Sequence, residues 1–219
     1  NFEVEVDCPK CGANMDAEAQ AAGTCGSCGA KSTTDELRAR VRFPLLEEAD
    51  ERLAYVYETL QGAREFLARA KKPGEPRASD AVEKMMPAFE AAMHDDLNTS
   101  AGLAALSEPL SEANRLVASG KGVDKNERYG TLARFVADME AVSKVVGCFG
   151  ADPDEFLLKR RDSKAARLGL DTARVESLVE DRQKARADKD FDASDRIRDE
   201  LTALGIKVRD TPDGPVWGF

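Results

Sequence analysis

Leu45-Leu46-Glu47-Glu48-Ala49-Asp50-Glu51-Arg52-Leu53-Ala54-Tyr55-Val56-Tyr57-Glu58-Thr59-Leu60-Gln61-Gly62-Ala63-Arg64-Glu65-Phe66-Leu67 repeats apolar residues every three or four positions. Leu45, Leu46, Ala49, Leu53, Val56, Tyr57, Leu60, Ala63 and Leu67 would form one stripe of a long amphipathic helix. The helix should fail at Lys72-Pro73-Gly74-Glu75-Pro76, where proline and glycine cluster. A second helix is expected from about Asp80 to Asp95, with Pro87 marking a kink or a late start. Asn98 or Thr99 can cap a third, reaching about Ala118 before Ser119-Gly120-Lys121-Gly122 stops it. A fourth runs from about Asn126 to Val146, with Leu132, Phe135, Val136, Met139, Val142 and Val146 turned inward. Four amphipathic helices with short connections predict a mainly α fold, an antiparallel helical bundle over 43–149.

On the N-terminal side the pattern differs. Asn1 to Asp7 alternates apolar and acidic residues, a strand signal. Then come Cys8-Pro9-Lys10-Cys11-Gly12 and Cys25-Gly26-Ser27-Cys28-Gly29, separated by thirteen residues counted from Gly12 to Thr24. A CxxC pair folds into a tight knuckle that aims both sulfurs at one point. The glycine after it allows the backbone a positive φ. Two such knuckles supply the four tetrahedral thiolates of a closed zinc site. A dithiol redox pair would account for one CxxC but not for two with matched glycines. Residues 1–42 therefore read as a strand and a zinc ribbon, with Cys8, Cys11, Cys25 and Cys28 as ligands of one structural zinc. With no open position for water, no catalysis is assigned to it. The fifth cysteine, Cys148, lies in Val145-Val146-Gly147-Cys148-Phe149 and reads as a buried structural thiol.

On the C-terminal side, 150–173 is charged and irregular and reads as a linker. Residues 174–219 read as a small α+β domain of two helices and a hairpin. Val175, Leu178 and Val179 mark the first helix, Ala193, Ile197, Leu201 and Leu204 the second, with Asp192 as its cap and Gly205 as its stop. Ile206-Lys207-Val208 and Val216-Trp217 would be the hairpin strands around Thr211-Pro212-Asp213-Gly214. Arg182 and Arg186, four apart, share a helix face. With Phe191, Asp195, Asp210 and Trp217 they bring two cations, two carboxylates and two aromatics onto elements that must pack together. Guanidinium and carboxylate groups read base edges, and aromatic faces stack on splayed bases, so the set suits single-stranded RNA. The plainer alternative is surface Arg–Asp pairing with Trp217 as a core plug.

The 219 residues carry a net charge of −9, which argues against wholesale nucleic-acid binding. The charge is unevenly spread: Lys159 to Phe219 carries 14 basic and 13 acidic residues, a net of +1, against −10 for the remainder. An anionic partner should meet the C-terminal end first. No apolar run approaches the ~20 residues of a membrane span, and no signal segment is evident, so a cytoplasmic location is expected.

Phe89-Glu90-Ala91-Ala92-Met93-His94-Asp95-Asp96-Leu97-Asn98-Thr99 resembles a segment of cysteinyl-tRNA synthetases. The run from Leu178 through Arg182, Arg186, Phe191, Asp195, Gly205-Ile206 and Asp210-Thr211 to Trp217 is similar to that family's C-terminal end. Asn1-Phe2-Glu3-Val4 resembles the segment following its catalytic domain. The resemblance covers about Phe43 to Trp217. It departs at His94, where the family has a third aspartate, and at Ser100, where it has proline. It implies an anticodon-stem-binding bundle of the DALR type followed by a small domain that reads the GCA anticodon of cysteine tRNA, with a monomeric chain. Phe191 would offer a stacking face, and Arg186, Asp210 and Asp195 hydrogen bonds to base edges. The family activates cysteine with ATP through HIGH and KMSKS motifs in a Rossmann-like domain, and neither motif occurs here. The chain would then be the tRNA-binding part of a ligase whose catalytic domain it lacks, inactive alone. The zinc ribbon would be an insertion, distinct from the family's thiol-selecting zinc. A free-standing ribbon-and-bundle adaptor for RNA or protein, or a protein scaffold, are the competing readings.

Overall fold

The computed structural model describes residues 4–38, 41–211 and 214–219. The chain divides into two compact units, 1–150 and 151–219.

The first unit begins with strand β1 (Glu5–Val6), paired antiparallel with β2 (Val41–Arg42); the rest of the expected strand, 1–3, lies outside the described residues. Between them lie the cysteines and two short helices, α1 (Ala17–Ala22) and α2 (Thr34–Arg38). Val6, Met15 and Leu37 are buried together with Cys8 and Cys25, so the ribbon has a small apolar core of its own.

Pro44 opens α3 (Pro44–Arg69) at its first turn, where a missing N–H costs nothing. Its buried residues start at Ala54 and include Tyr57, Leu60 and Ala63. Leu45, Leu46 and Leu53, expected inward, are exposed. Periodicity marks a face along the whole helix, but among the described residues full burial begins only at Ala54.

The second expected helix is two pieces, α4 (Asp80–Glu83) and α5 (Met85–His94). Pro87 falls in the first turn of α5, so it marks a start and not a kink. The third is also split, into α6 (Thr99–Ala104) and α7 (Ser107–Ala118). Asn98 caps α6 by accepting from the Ala101 N–H at 3.0 Å. Asp124 caps α8 (Lys125–Val146), and Gly147, at φ 70°, ends it. Cys148 follows this stop and is exposed, contrary to the buried thiol expected: beyond the last turn its side chain has no core to enter.

Helices α3, α7 and α8 contact one another pairwise, and Leu60, Leu116, Leu132, Phe135 and Met139 are buried in the bundle. Glycines set two of the close approaches. A Cβ on Gly62 of α3 would lie 2.4 Å from Cγ1 of Val117. One on Gly130 of α8 would lie 2.3–2.5 Å from backbone atoms of Arg77. The loop before α4 is tied there by Arg77 N–H to the Asn126 carbonyl at 3.2 Å and by Ser79 N–H to the Thr131 hydroxyl at 2.9 Å.

In the second unit, the segment expected to be an irregular linker is a helix, α9 (Pro153–Leu168), capped by Asp152 and ended by Gly169 at φ 64°. It was missed because its single fully buried side-chain contact past Pro153 is Ala165, too small to mark an apolar period. Helices α10 (Thr172–Ala187) and α11 (Phe191–Ala203) pack against each other, and β3 (Lys207–Thr211) pairs antiparallel with β4 (Gly214–Gly218). The cap of α11 is Asp190, which accepts from the Ala193 N–H at 3.0 Å; the expected cap, Asp192, lies inside the first turn. Ala165, Val175, Val179, Leu201, Ile206 and Trp217 form the core.

Candidate functional site

The two cysteine knuckles have the same backbone. Gly12 N–H donates to the Cys8 carbonyl at 2.9 Å, and Gly29 N–H to the Cys25 carbonyl at 2.8 Å. Cys8 N–H donates to Ala13 at 2.8 Å, and Cys25 N–H to Ala30 at 2.9 Å. Each closing glycine has positive φ, 72° at Gly12 and 67° at Gly29. Each knuckle is flanked by one bridge, Asp7 with Asn14 and Thr24 with Lys31. A repeated sequence, Cys-x-x-Cys-Gly, thus folds twice into one shape.

The knuckles face each other. Sγ of Cys8 lies 3.7 Å from that of Cys28, and Sγ of Cys11 lies 3.8 Å from that of Cys25. All four sulfurs are within 4.8 Å of one another. A disulfide would need about 2.05 Å. A tetrahedron of thiolates with metal–sulfur bonds of about 2.3 Å has edges of about 3.8 Å, which these spacings match. Against the Ala13 N–H, the neighbouring thiols, Cys28 first, push Cys11 up to about 12, whereas the N–H groups of Cys11 and Lys10 hold the Cys8 thiol down to about 6 and those of Cys28 and Ser27 lower Cys25. Such donors favour thiolate, the form a metal binds. The four cysteines can hold a metal ion.

The C-terminal constellation is assembled differently. Arg182 and Arg186, one turn apart on α10, converge on the Asp210 carboxylate of β3. Arg182 Nη1 donates to Oδ1 at 3.0 Å, and Arg186 Nη1 donates to Oδ2. Hydrogen bonding from Arg182, then Arg186, holds the Asp210 carboxyl below the usual carboxylate range. Arg182 is largely buried, while the side chains of Arg186 and Asp210 are 48% and 52% exposed. The buried Nε of Arg182 has no hydrogen-bond partner. The half-exposed Arg186 guanidinium and Asp210 carboxylate, and not the buried Arg182 Nε, are the groups of the fork that a base edge can reach.

Phe191, the first residue of α11, is 64% exposed, and Asp195 lies one turn on from it, also exposed. Asp195 is paired with Arg198 at 3.0 Å and does not join the fork. Trp217 departs from the expectation: it is 6% exposed and sits in the core, with the Arg161 guanidinium 4.5 Å above its ring. Its face is not available for stacking. Sequence reasoning missed Arg198 and Lys207, which with Arg182 and Thr202 line a pocket of about 400 Å³ beside β3. It also missed Arg161. Only the clustering of basic residues at 159–167 could have pointed to it.

Residues 171–217 match the family model described as the cysteinyl-tRNA ligase anticodon binding domain, and 88–150 match the DALR domain, leaving 151–170 outside both. These matches define an anticodon-binding module of the aminoacyl-tRNA ligase class. The chain is 42% identical over 179 residues to a cysteine–tRNA ligase of Nitratidesulfovibrio vulgaris (strain DSM 19637 / Miyazaki F), covering 80% of this chain and 37% of that protein. It is 37% identical over 190 residues to one from Solidesulfovibrio magneticus, covering 83% and 39%. It is 40% identical over 173 residues to one from Anaeromyxobacter dehalogenans (strain 2CP-C), covering 79% and 34%. The chain belongs to the cysteine–tRNA ligase family, as its C-terminal, anticodon-binding region. It spans somewhat over a third of the length of these relatives.

Proposed function

We propose that this chain binds the anticodon arm of cysteine tRNA and reads its anticodon, for ATP-dependent aminoacylation carried out by a catalytic domain of the same polypeptide. The carrying observation is the convergence of Arg182 and Arg186 on Asp210, inside the region matched to the anticodon binding domain. Arg186 and Asp210 contact base edges, Phe191 stacks on a base, and Asp195 supplies a further acceptor. Trp217 supports these residues from the core. Without HIGH or KMSKS motifs, the 219 residues alone do not aminoacylate.

The metal is zinc, one per chain, bound by Cys8, Cys11, Cys25 and Cys28. Four thiolates at tetrahedral spacing favour it, and the filled shell makes it structural. The protein acts as a monomer in the cytoplasm. Among the described residues no helix is long and apolar enough to cross a membrane.

The test is the affinity of the chain for cysteine tRNA and for a copy with a changed anticodon, at two salt concentrations. Binding should be salt-sensitive and should fall when the anticodon changes. Arg186→Ala should cost about 1–3 kcal/mol towards the cognate RNA, the usual range for one base contact. Equal affinity for both RNAs would reject base reading.

A further inference from the structure

We propose that the corner of the bundle where the end of α3 meets the turn between α7 and α8 grips the RNA backbone, with Lys71, Lys72, Lys121 and Lys125 as its phosphate contacts. The proposal rests on the tRNA reading above and gives it a surface in the first unit, whereas the Asp210 fork lies in the second.

Cations on phosphates supply much of the affinity of an RNA complex, whereas base contacts supply selectivity. The fork is poorly equipped for the first task, because its two guanidiniums already share the Asp210 carboxylate. The bundle carries a concentration of basic charge on two segments. Residues 69–77 have a net charge of +3 and 119–128 of +1, so the other 200 residues carry −13. Lys71, Lys72, Lys121 and Lys125 are all exposed. Among the described residues their ammonium groups enter no hydrogen bond or ion pair. A phosphate can therefore take them without displacing a protein partner.

The fold brings the two segments together at Arg128 of α8. Its Nε donates to the Leu116 carbonyl near the end of α7 at 3.0 Å, and its guanidinium lies 4.3 Å from the Phe66 ring of α3. A Cβ on Gly120 would lie 2.5 Å from its Nη1, so Lys121 follows directly on this joint. On the other side α3 closes with the Ala70 N–H on the Phe66 carbonyl at 2.8 Å, and Lys71 and Lys72 come next.

The loop that carries Lys71 and Lys72 is tied back to the start of α8. The Arg77 N–H donates to the Asn126 carbonyl at 3.2 Å, and the Arg77 guanidinium lies 3.7 Å from Asp124. Asp124 and Asn126 are the two chain neighbours of Lys125, so the loop starts beside Phe66 and ends beside Lys125. Pro73 and Pro76 limit the swing of the chain between them. Asp124, the acid next to Lys125, is already engaged, because it caps α8 and pairs with Arg77. Lysines from two segments thus share one corner of the bundle, with the nearest carboxylate held by other groups.

The test uses the whole 219-residue chain in three variants: Lys71→Gln/Lys72→Gln, Lys121→Gln/Lys125→Gln, and Lys144→Gln. Lys144 is exposed in the last turn of α8, nineteen residues beyond Lys125, or about 28 Å along the helix. Affinity for cysteine tRNA and for the anticodon-changed copy is measured across a salt titration, with thermal melts of each variant. Each double variant should bind both RNAs roughly fivefold more weakly at low salt, with the preference between them kept. Its slope of log affinity against log salt should be shallower by about 1.5, since each phosphate contact contributes about 0.7–0.9. Lys144→Gln should keep the wild-type slope. Either double variant decides the matter alone if the other melts early. Unchanged slopes in the double variants, with wild-type preference intact, would overturn the proposal and leave the anticodon reading standing. A shift in Lys144→Gln as large as that in the double variants would also overturn it, because the effect would then be one of net charge alone. Failure of the wild-type chain to bind either RNA would overturn both.

Discussion

Arg182 of α10 donates to Oδ1 of Asp210 on β3 across 3.0 Å, joining residues 28 apart in sequence. This bond ties a helix and a hairpin together at one surface. It also orients the carboxylate so that Arg186 can take its other oxygen.

The first prediction concerns that carboxylate. The two arginines lower its folded pKa, so the paired carboxylate stabilises the domain above the unfolded value of about 3.9. That stabilisation is lost as pH falls below this value and through the folded one. Urea unfolding of wild type and Asp210→Asn should differ by a constant, modest amount from pH 7 to about pH 4, and converge below it. The difference is modest because the side chain is half exposed to solvent. A gap that widens on acidification would contradict the assignment.

The metal centre offers a second. Native chain should contain about one equivalent of zinc, and Cys8→Ser or Cys28→Ser should release it. Cys148→Ser should retain it, because that thiol is free and stands outside the cluster. With Val6, Met15 and Leu37 as the further buried core among the described residues, and Ala19, Ala30 and Val41 packed on it, the ribbon should become protease-sensitive on chelation while the bundle helices persist. Native protein with less than about half an equivalent would remove zinc from the account.

A third pairs the two aromatics. Phe191→Ala should leave stability within about 0.5 kcal/mol, because the ring is 64% exposed, yet weaken RNA binding by about 1–3 kcal/mol. Trp217→Ala should instead cost about 3–5 kcal/mol of stability, since it empties the core of the second unit. Thermal melts and RNA titrations of both variants separate the roles. The reverse pattern would exchange them.

The bundle supplies the fourth. Gly130→Ala places a methyl 2.3–2.5 Å from the Arg77 backbone, which cannot rotate away as a side chain could. It should cost about 1–3 kcal/mol and detach the loop before α4. Gly74→Ala, with open space around the new methyl, should change stability by less than about 0.5 kcal/mol. Equal effects of the two substitutions would mean that the close approach is not retained in solution.

Much of this protein is written in local pattern. Cys-x-x-Cys-Gly, repeated, determined the ribbon, because the knuckle is built from hydrogen bonds within six residues, Cys8 to Ala13 and Cys25 to Ala30. Apolar periods and caps determined α3, α8, α10 and the hairpin, whose chemistry lies within a turn or two of chain. What depends on distant neighbours was decided only by the tertiary structure. Leu45 and Leu53 carry the same signal as Leu60, yet only Leu60 is covered. Phe191 and Trp217 looked alike as candidate stacking faces. Packing against Ala165, Val175 and Leu201 drew Trp217 inward, and the start of α11 left Phe191 outside. The α9 helix is not legible as a period because the residues it buries fully, Pro153 and Ala165, lie twelve apart, and its cations are laid over two rings. The convergence of Arg182 and Arg186 on one carboxylate exists only once α10 and β3 are side by side.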